Sequence, residues 1–140
     1  MCGIISILSY NYTKSNKYKG IYKLLDRRGP DCIDEKLIKI CIDSTNACFL
    51  DLFMRGSVLS IRSPLTSQPI CLNKNILLFN GQIYEGIDVY FILLTKILPI
   101  ENDGLKLAHC LNNYFDGAVE SLRKLLYSIN GEYAFIYYHV

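Results

Sequence analysis

Apolar positions along this chain fall into two periods, one of roughly two residues and one of three to four, and the boundaries between them predict the elements. Residues 3–8 are a short β-branched run and predict a buried strand almost at the amino terminus. Residues 10–19 are polar and rich in Lys, Asn and Tyr, a surface connection. Ile21, Leu24 and Leu25 lie at helical spacing and predict a short amphipathic helix over residues 21–27. Arg28-Gly29-Pro30-Asp31 stops it, because Gly frees the backbone and Pro cannot continue a helix. Residues 37–42 and 47–53 then read as strands around the turn-forming Asp43-Ser44-Thr45-Asn46.

Residues 58–62 predict another short strand, closed by Pro64 and Gln68-Pro69. Residues 76–79 form an apolar strand running into Asn80-Gly81, a dipeptide suited to a tight turn with positive φ. Two helices follow over residues 105–115 and 119–129. The first presents Leu107, Ala108, Leu111 and Phe115 on one side, the second Leu122, Leu125, Leu126 and Ile129. Gly131 breaks the second helix, and residues 133–140 read as an aromatic core strand, Tyr133, Phe135 and Tyr137 alternating with Ala134, Ile136 and Tyr138. Strands, then helices, then a strand predict a layered α+β fold and not regular βαβ winding.

Composition narrows the function classes more than it narrows the fold. At 140 residues the chain has the size of one domain, and 51% hydrophobic with 20% charged residues excludes intrinsic disorder. A net charge of +2 gives no ground for a nucleic-acid partner or an anionic membrane. The longest apolar stretch, residues 89–100, is broken by Thr95, Lys96 and Pro99 and falls short of a membrane span. No positive segment precedes the first apolar run, so no secretory signal is read there, and a cytoplasmic domain is expected.

Of the six cysteines none forms a Cys-x-x-Cys pair, and His109 and His139 are far from any cysteine pair, which argues against zinc. Without a secretory signal disulfides are poorly supported. Cys41, Cys48 and Cys71 lie among apolar residues and are expected to be buried, inert thiols. Cys2 differs because of its position. Removal of Met1 would give a thiol that carries its own free amine, groups titrating at about 8.5 and roughly 7.7–8.0 respectively. One residue would then hold a nucleophile and a general base. On position alone, a small residue beside the start methionine is the simpler reading.

The downstream motifs reverse that preference. With Met1-Cys2-Gly3-Ile4, Arg28-Gly29-Pro30-Asp31 and Asn80-Gly81-Gln82-Ile83-Tyr84, the chain resembles the class II glutamine amidotransferase domain of asparagine synthetases, within the amino-terminal-nucleophile hydrolases. The match is nearest to the divergent asparagine synthetase domain-containing branch. Further counterparts there are Arg62-Ser63-Pro64-Leu65-Thr66-Ser67-Gln68-Pro69, Glu101-Asn102-Asp103, and Gly131-Glu132-Tyr133-Ala134-Phe135-Ile136-Tyr137-Tyr138.

The resemblance implies a four-layer αββα sandwich, with two antiparallel sheets face to face and helices outside. It implies Cys2 as the nucleophile that attacks the side-chain amide of glutamine, with its own α-amine as base. Asn80 and the backbone N–H of Gly81 would form the oxyanion hole. Arg62 would hold the glutamine α-carboxylate and Asp103 the α-ammonium, with Gln82 beside them. No cofactor and no metal is called for, and the ammonia would go to a synthetase domain or partner subunit.

Each residue also has a plain structural reading. Arg62 reads as a surface arginine at a strand end, Asp103 as a helix cap, and Asn80-Gly81 as a hairpin turn. Arg27-Arg28 reads as a solvated helix end, and His109 and His139 as structural. Two positions depart from the family pattern: Gln82 stands where Glu is usual, and Gly104 where a hydroxyl residue follows the Asp. The resemblance covers residues 1–140, yet the family domain continues with more strands and then a synthetase domain with an ATP pyrophosphate loop, neither of which has a counterpart here. Three expectations follow: an active glutaminase domain, a non-catalytic interaction or regulatory module of the same fold, or a piece of a longer synthetase-like protein. An apolar final strand left at a sheet edge would favour aggregation.

Overall fold

The computed structural model describes residues 2–10, 12, 18–60, 65–88 and 102–140. In chain order its elements are β1 (Gly3–Ser9), α1 (Lys19–Arg28), β2 (Cys32–Asp43), β3 (Cys48–Val58), β4 (Ile70–Leu72), β5 (Asn75–Glu85), α2 (Asp103–Tyr114), α3 (Val119–Ser128) and β6 (Asn130–Tyr138). The strands form two antiparallel sheets, ordered β1-β3-β2 and β4-β5-β6, so the protein is α+β. None of the described helices is long and apolar enough to cross a membrane.

The period-two alternation of the central strands decides what lies between the layers. From β3, Met54 is fully buried against Ile76 and Leu78 of β5, with Ile4, Leu52, Ile136 and Tyr138 around them. These residues form the contact between the two sheets. The opposite face of β5 carries Leu77, Phe79 and Ile83 into a second core with Leu107, Ala108 and Leu111 of α2 and Leu125 of α3. Leu107, Leu111 and Leu125 have no exposed surface, as their helical spacing predicts.

On its outer face the first sheet is held to α1 by polar groups as much as by apolar ones. Tyr22 lies against Phe53 with ring centroids 5.9 Å apart, and Arg55 donates to Asp26 and to Glu35 at 2.8 Å each. Ser57 donates to Asp26 at 3.2 Å. Burial works against the Arg55 charge, but the two carboxylates outweigh it and raise its pKa above the ordinary value. For this reason the face predicted for the first helix holds only at Leu25, which is half-buried and meets Gly3. Ile21 and Leu24 are exposed, and the residue buried is Tyr22.

Other expectations need correction on similar grounds. The strand expected over residues 47–53 runs on to Val58, because Arg55 and Ser57 are satisfied by Asp26 and so stay in the sheet. Of the strand expected over residues 58–62, only Val58 is β; residues 59–60 are irregular and 61–62 lie outside the described residues. Asn80-Gly81 is not a turn but the middle of β5, paired with Ala134 and Tyr133 of β6. Gly131 lies within β6, and α3 ends instead at Ile129, whose backbone is extended. The three-residue strand β4 was not anticipated. Cys41 and Cys71 are exposed and Cys48 half-buried, while the buried thiol is Cys110, whose pKa burial pushes up to about 12.

Candidate functional site

β5 is paired with β6 from Ile76 to Ile83 and again at Glu85 on one side, and only along its first part on the other. On that other side, β4 matches Leu72 to Asn75, Cys71 to Ile76 and Ile70 to Leu77, then ends. Successive residues of an antiparallel strand turn their N–H groups to opposite neighbours, so Leu77, Phe79, Gly81 and Ile83 all face the β4 side. Beyond Ile70 the next residue is Pro69, which has no N–H to give.

Side chains take over where the strand stops. Gln68 is buried, and its Oε1 accepts from Phe79 N at 2.7 Å. Four residues along, Asp103 Oδ2 accepts from Ile83 N at 3.0 Å. Gly81 N–H lies between them on the same edge, with no side-chain acceptor among the described residues.

Gly81 has φ of +146°, and a Cβ there would stand 2.2 Å from Glu132 O and 2.7 Å from Tyr133 Cβ. The position therefore demands glycine because β5 presses on β6 there, a reason separate from any substrate. Its neighbour Asn80 shares a face with Ile76 and Leu78, towards the first sheet. Asn80 Oδ1 is buried and has no hydrogen-bond partner among the described residues. Gln82, paired with Glu132, is exposed.

Cys2 is half-buried and directly precedes β1, where Gly3 pairs with Ser57. Continued through β1, the alternation puts Cys2 on the side of Ile4, which packs on the Met54, Ile76 and Leu78 cluster. Cys2 and Asn80 are thus each one step of alternation from residues of the same interlayer cluster. Gly3 itself lets α1 come close, since a Cβ there would stand 2.8 Å from Leu25 Cδ2 and 3.1 Å from Leu25 O.

At the start of α2 the cap is Asn102, whose side chain accepts from Leu105 N at 2.9 Å. Asp103 is consequently not the cap, and its carboxylate reaches β5 instead. Gly104 is buried against Phe79, whose Cδ1 would stand 3.1 Å from an added Cβ, so a larger residue would require a shift of a few tenths of an ångström there. The departure from the family pattern at this position has a packing reason.

Asn80, Gly81, Gln82 and Asp103 are thereby brought to one stretch of β5, with Cys2 across the layer. Arg62 lies outside the described residues. The approach to it is held by Asp31, which accepts from Ser60 N at 2.7 Å and donates its own N–H to Val58 O at 3.1 Å. Gly29 makes that possible, since a Cβ there would collide with Ser57 O. Gln68 and Asn102 were missed as organising residues. An Asn three residues before Leu105 is a recognisable cap signal, but nothing local marks Gln68.

No family model matches the chain, and no solved structure matches it. Among curated proteins it is similar to asparagine synthetase domain-containing protein 1 of Gallus gallus, 32% identical over 146 aligned residues. The alignment takes in 99% of this chain but 20% of that protein, so the chain spans about a fifth of its relative's length. The similarity supports an asparagine synthetase-related family for this chain.

Proposed function

We propose that the chain is a glutamine amidotransferase domain of the amino-terminal-nucleophile type, hydrolysing glutamine to glutamate and ammonia. One observation carries this reading: among the described residues no strand pairs with β5 opposite Gly81 on the β4 side, between Phe79 and Ile83 whose N–H groups are already bound, and the adjacent Asn80 has a buried Oδ1 without a partner there. A buried polar group without a partner is costly and calls for a ligand or another explanation. A carboxamide substrate supplies both a donor for the amide oxygen and a carbonyl for a free N–H. Further support comes from the layer order of α1, first sheet, second sheet, then α2 and α3, the order expected of an αββα sandwich.

In this reading the Cys2 thiol sulfur bonds to the side-chain carbonyl carbon of glutamine while the α-amine freed by loss of Met1 takes the thiol proton. The carbonyl oxygen gains negative charge and is met by Gly81 N–H and the Asn80 amide, neutral donors fixed before the reaction. The α-ammonium gives its proton to the amide nitrogen as the C–N bond breaks, releasing ammonia, and water then cleaves the thioester C–S bond to give glutamate and the free Cys2 thiol. Arg62 holds the α-carboxylate of the substrate. Asp103 spends Oδ2 on Ile83 and offers Oδ1 to the α-ammonium. Ammonia passes to a synthetase domain or subunit for amidation of an asparagine-synthetase type.

The test is the intact mass of the protein after exposure to a glutamine analogue bearing an electrophilic ketone, with glutaminase assays of wild type and Cys2→Ala. Loss of Met1, one covalent adduct on Cys2 and activity abolished by Cys2→Ala support the reading. A retained Met1 or an unlabelled chain overturns it and favours the non-catalytic module, for which the neutral, exposed Gln82 is the specific argument.

A further inference from the structure

We propose that Gln68 is a positioning residue for the oxyanion donor, replacing a strand with a side chain so that Gly81 stays uncovered. The inference rests on the amidotransferase reading and adds a residue to it. The ladder of β4 on β5 pairs Ile70 with Leu77, and its next rung on this side would set residue 68 opposite Phe79. At that rung the structure uses the Gln68 side chain: Oε1 accepts from Phe79 N at 2.7 Å, and Gln68 is 6% exposed.

The exchange has a topological consequence. Phe79 is buried, so its N–H needs an acceptor. A backbone acceptor would prolong β4, and the rung after it would cover Gly81. A side-chain acceptor satisfies Phe79 and stops there. Asp103 does the same from the other end at Ile83. Between two filled positions the strand is pinned, and among the described residues Gly81 N–H is left as the gap.

Gln68 is itself wedged between the sheets. A Cβ on Gly56 of β3 would stand 2.6 Å from Gln68 Cβ and 2.8 Å from Gln68 O, so the glycine makes the space it occupies. Gln68 and Gly56 are both buried where they meet. The geometry therefore assigns Gln68 to holding Phe79 and Asn80 in place, without touching substrate.

Two variants and two readouts test this. Gln68→Met fills the same space without an acceptor, whereas Gln68→Glu keeps an oxygen at the same reach. Saturating labelling of Cys2 by the electrophilic glutamine analogue is expected to slow by about 100-fold in Gln68→Met, with the half-saturating concentration unchanged. Gln68→Glu is expected to restore most of the rate, and iodoacetamide, which needs no oxyanion donor, to alkylate Cys2 equally in all three proteins. In amide exchange, Phe79 and Ile83 of the wild type should be protected and Gly81 not, with Phe79 protection lost in Gln68→Met. Wild-type labelling rates in Gln68→Met, or no rescue by Gln68→Glu, overturn the inference while leaving the amidotransferase reading standing. An unlabelled wild type overturns that reading itself. If Gln68→Met does not fold, exchange in the wild type decides: Phe79 exchanging as fast as Gly81 overturns the inference.

Discussion

Asp103, on the first turn of α2, accepts a 3.0 Å hydrogen bond from the backbone N–H of Ile83 on β5. A carboxylate at a helix start usually serves the helix, but here Asn102 caps α2 and frees Asp103 to bind the sheet. One side chain thus ties the start of α2 to β5.

Two substitutions separate this bond from the proposed hold on the substrate α-ammonium. Asp103→Ala leaves the Ile83 N–H without its acceptor and should cost about 1–3 kcal/mol of stability by denaturant unfolding, as well as raising KM for glutamine. Asp103→Asn keeps a neutral acceptor for Ile83 but loses the negative charge. It should fold with near wild-type stability and still show the raised KM. An Asn variant with unchanged KM would limit Asp103 to its structural bond.

Asn80 should show the opposite balance between stability and activity. Its buried Oδ1 has no partner among the described residues, so folding already bears the cost of that atom. Asn80→Ala should unfold at a denaturant midpoint no lower than wild type while kcat falls about 10²–10³-fold, a barrier rise of about 2.7–4 kcal/mol. A clear loss of stability with activity retained would make Asn80 a core residue only.

Gly81→Ala should fail through the fold. The added methyl meets Glu132 O and Tyr133 of the neighbouring strand at a φ that side chains rarely adopt. The cost should reach or exceed the upper end of the roughly 1–3 kcal/mol usual for overpacking. A thermal melt unchanged from wild type would show that β5 and β6 can part there at little cost.

The turn between β2 and β3 predicts a pH dependence. Asp43 accepts from the Thr45 hydroxyl, from the Asn46 side chain at 2.6 Å and from Thr45 N at 2.9 Å, and these bonds lower its pKa from 3.8 to about 2. Since the folded value is depressed, the contribution is fully present above 3.8 and is lost as the pH falls through about 2. Urea midpoints of wild type and Asp43→Ala should differ above that window and converge below it. A gap that persists at the acid end would assign the effect to turn geometry and not to charge.

How far the fold was legible depended on which face of an element was apolar. In α2 and α3 the stripes at Leu107, Leu111 and Leu125 identify the buried side directly, because the face packed on β5 is apolar. In α1 the stripe misleads, since the contact that seats it is Asp26 with Arg55, a pair 29 residues apart that no local window contains. Asn80-Gly81 misleads for a related reason. The dipeptide permits a turn, and only the approach of Glu132 and Tyr133 explains a glycine inside a strand.

By itself the sequence determined the α+β class, the positions of the later helices, and, through its motifs, the candidates Cys2, Arg62, Asn80, Gly81, Gln82 and Asp103. The class and the helices follow from short-range periodicity, whereas the candidates follow from a family resemblance that several separated motifs carry together. Only the tertiary structure decided that Asp103 and Gln68 close the edge of β5 on either side of Gly81. Hydrogen bonds between residues 11 and 20 positions apart depend on where the chain returns, and the end of β4 at Ile70 sets that.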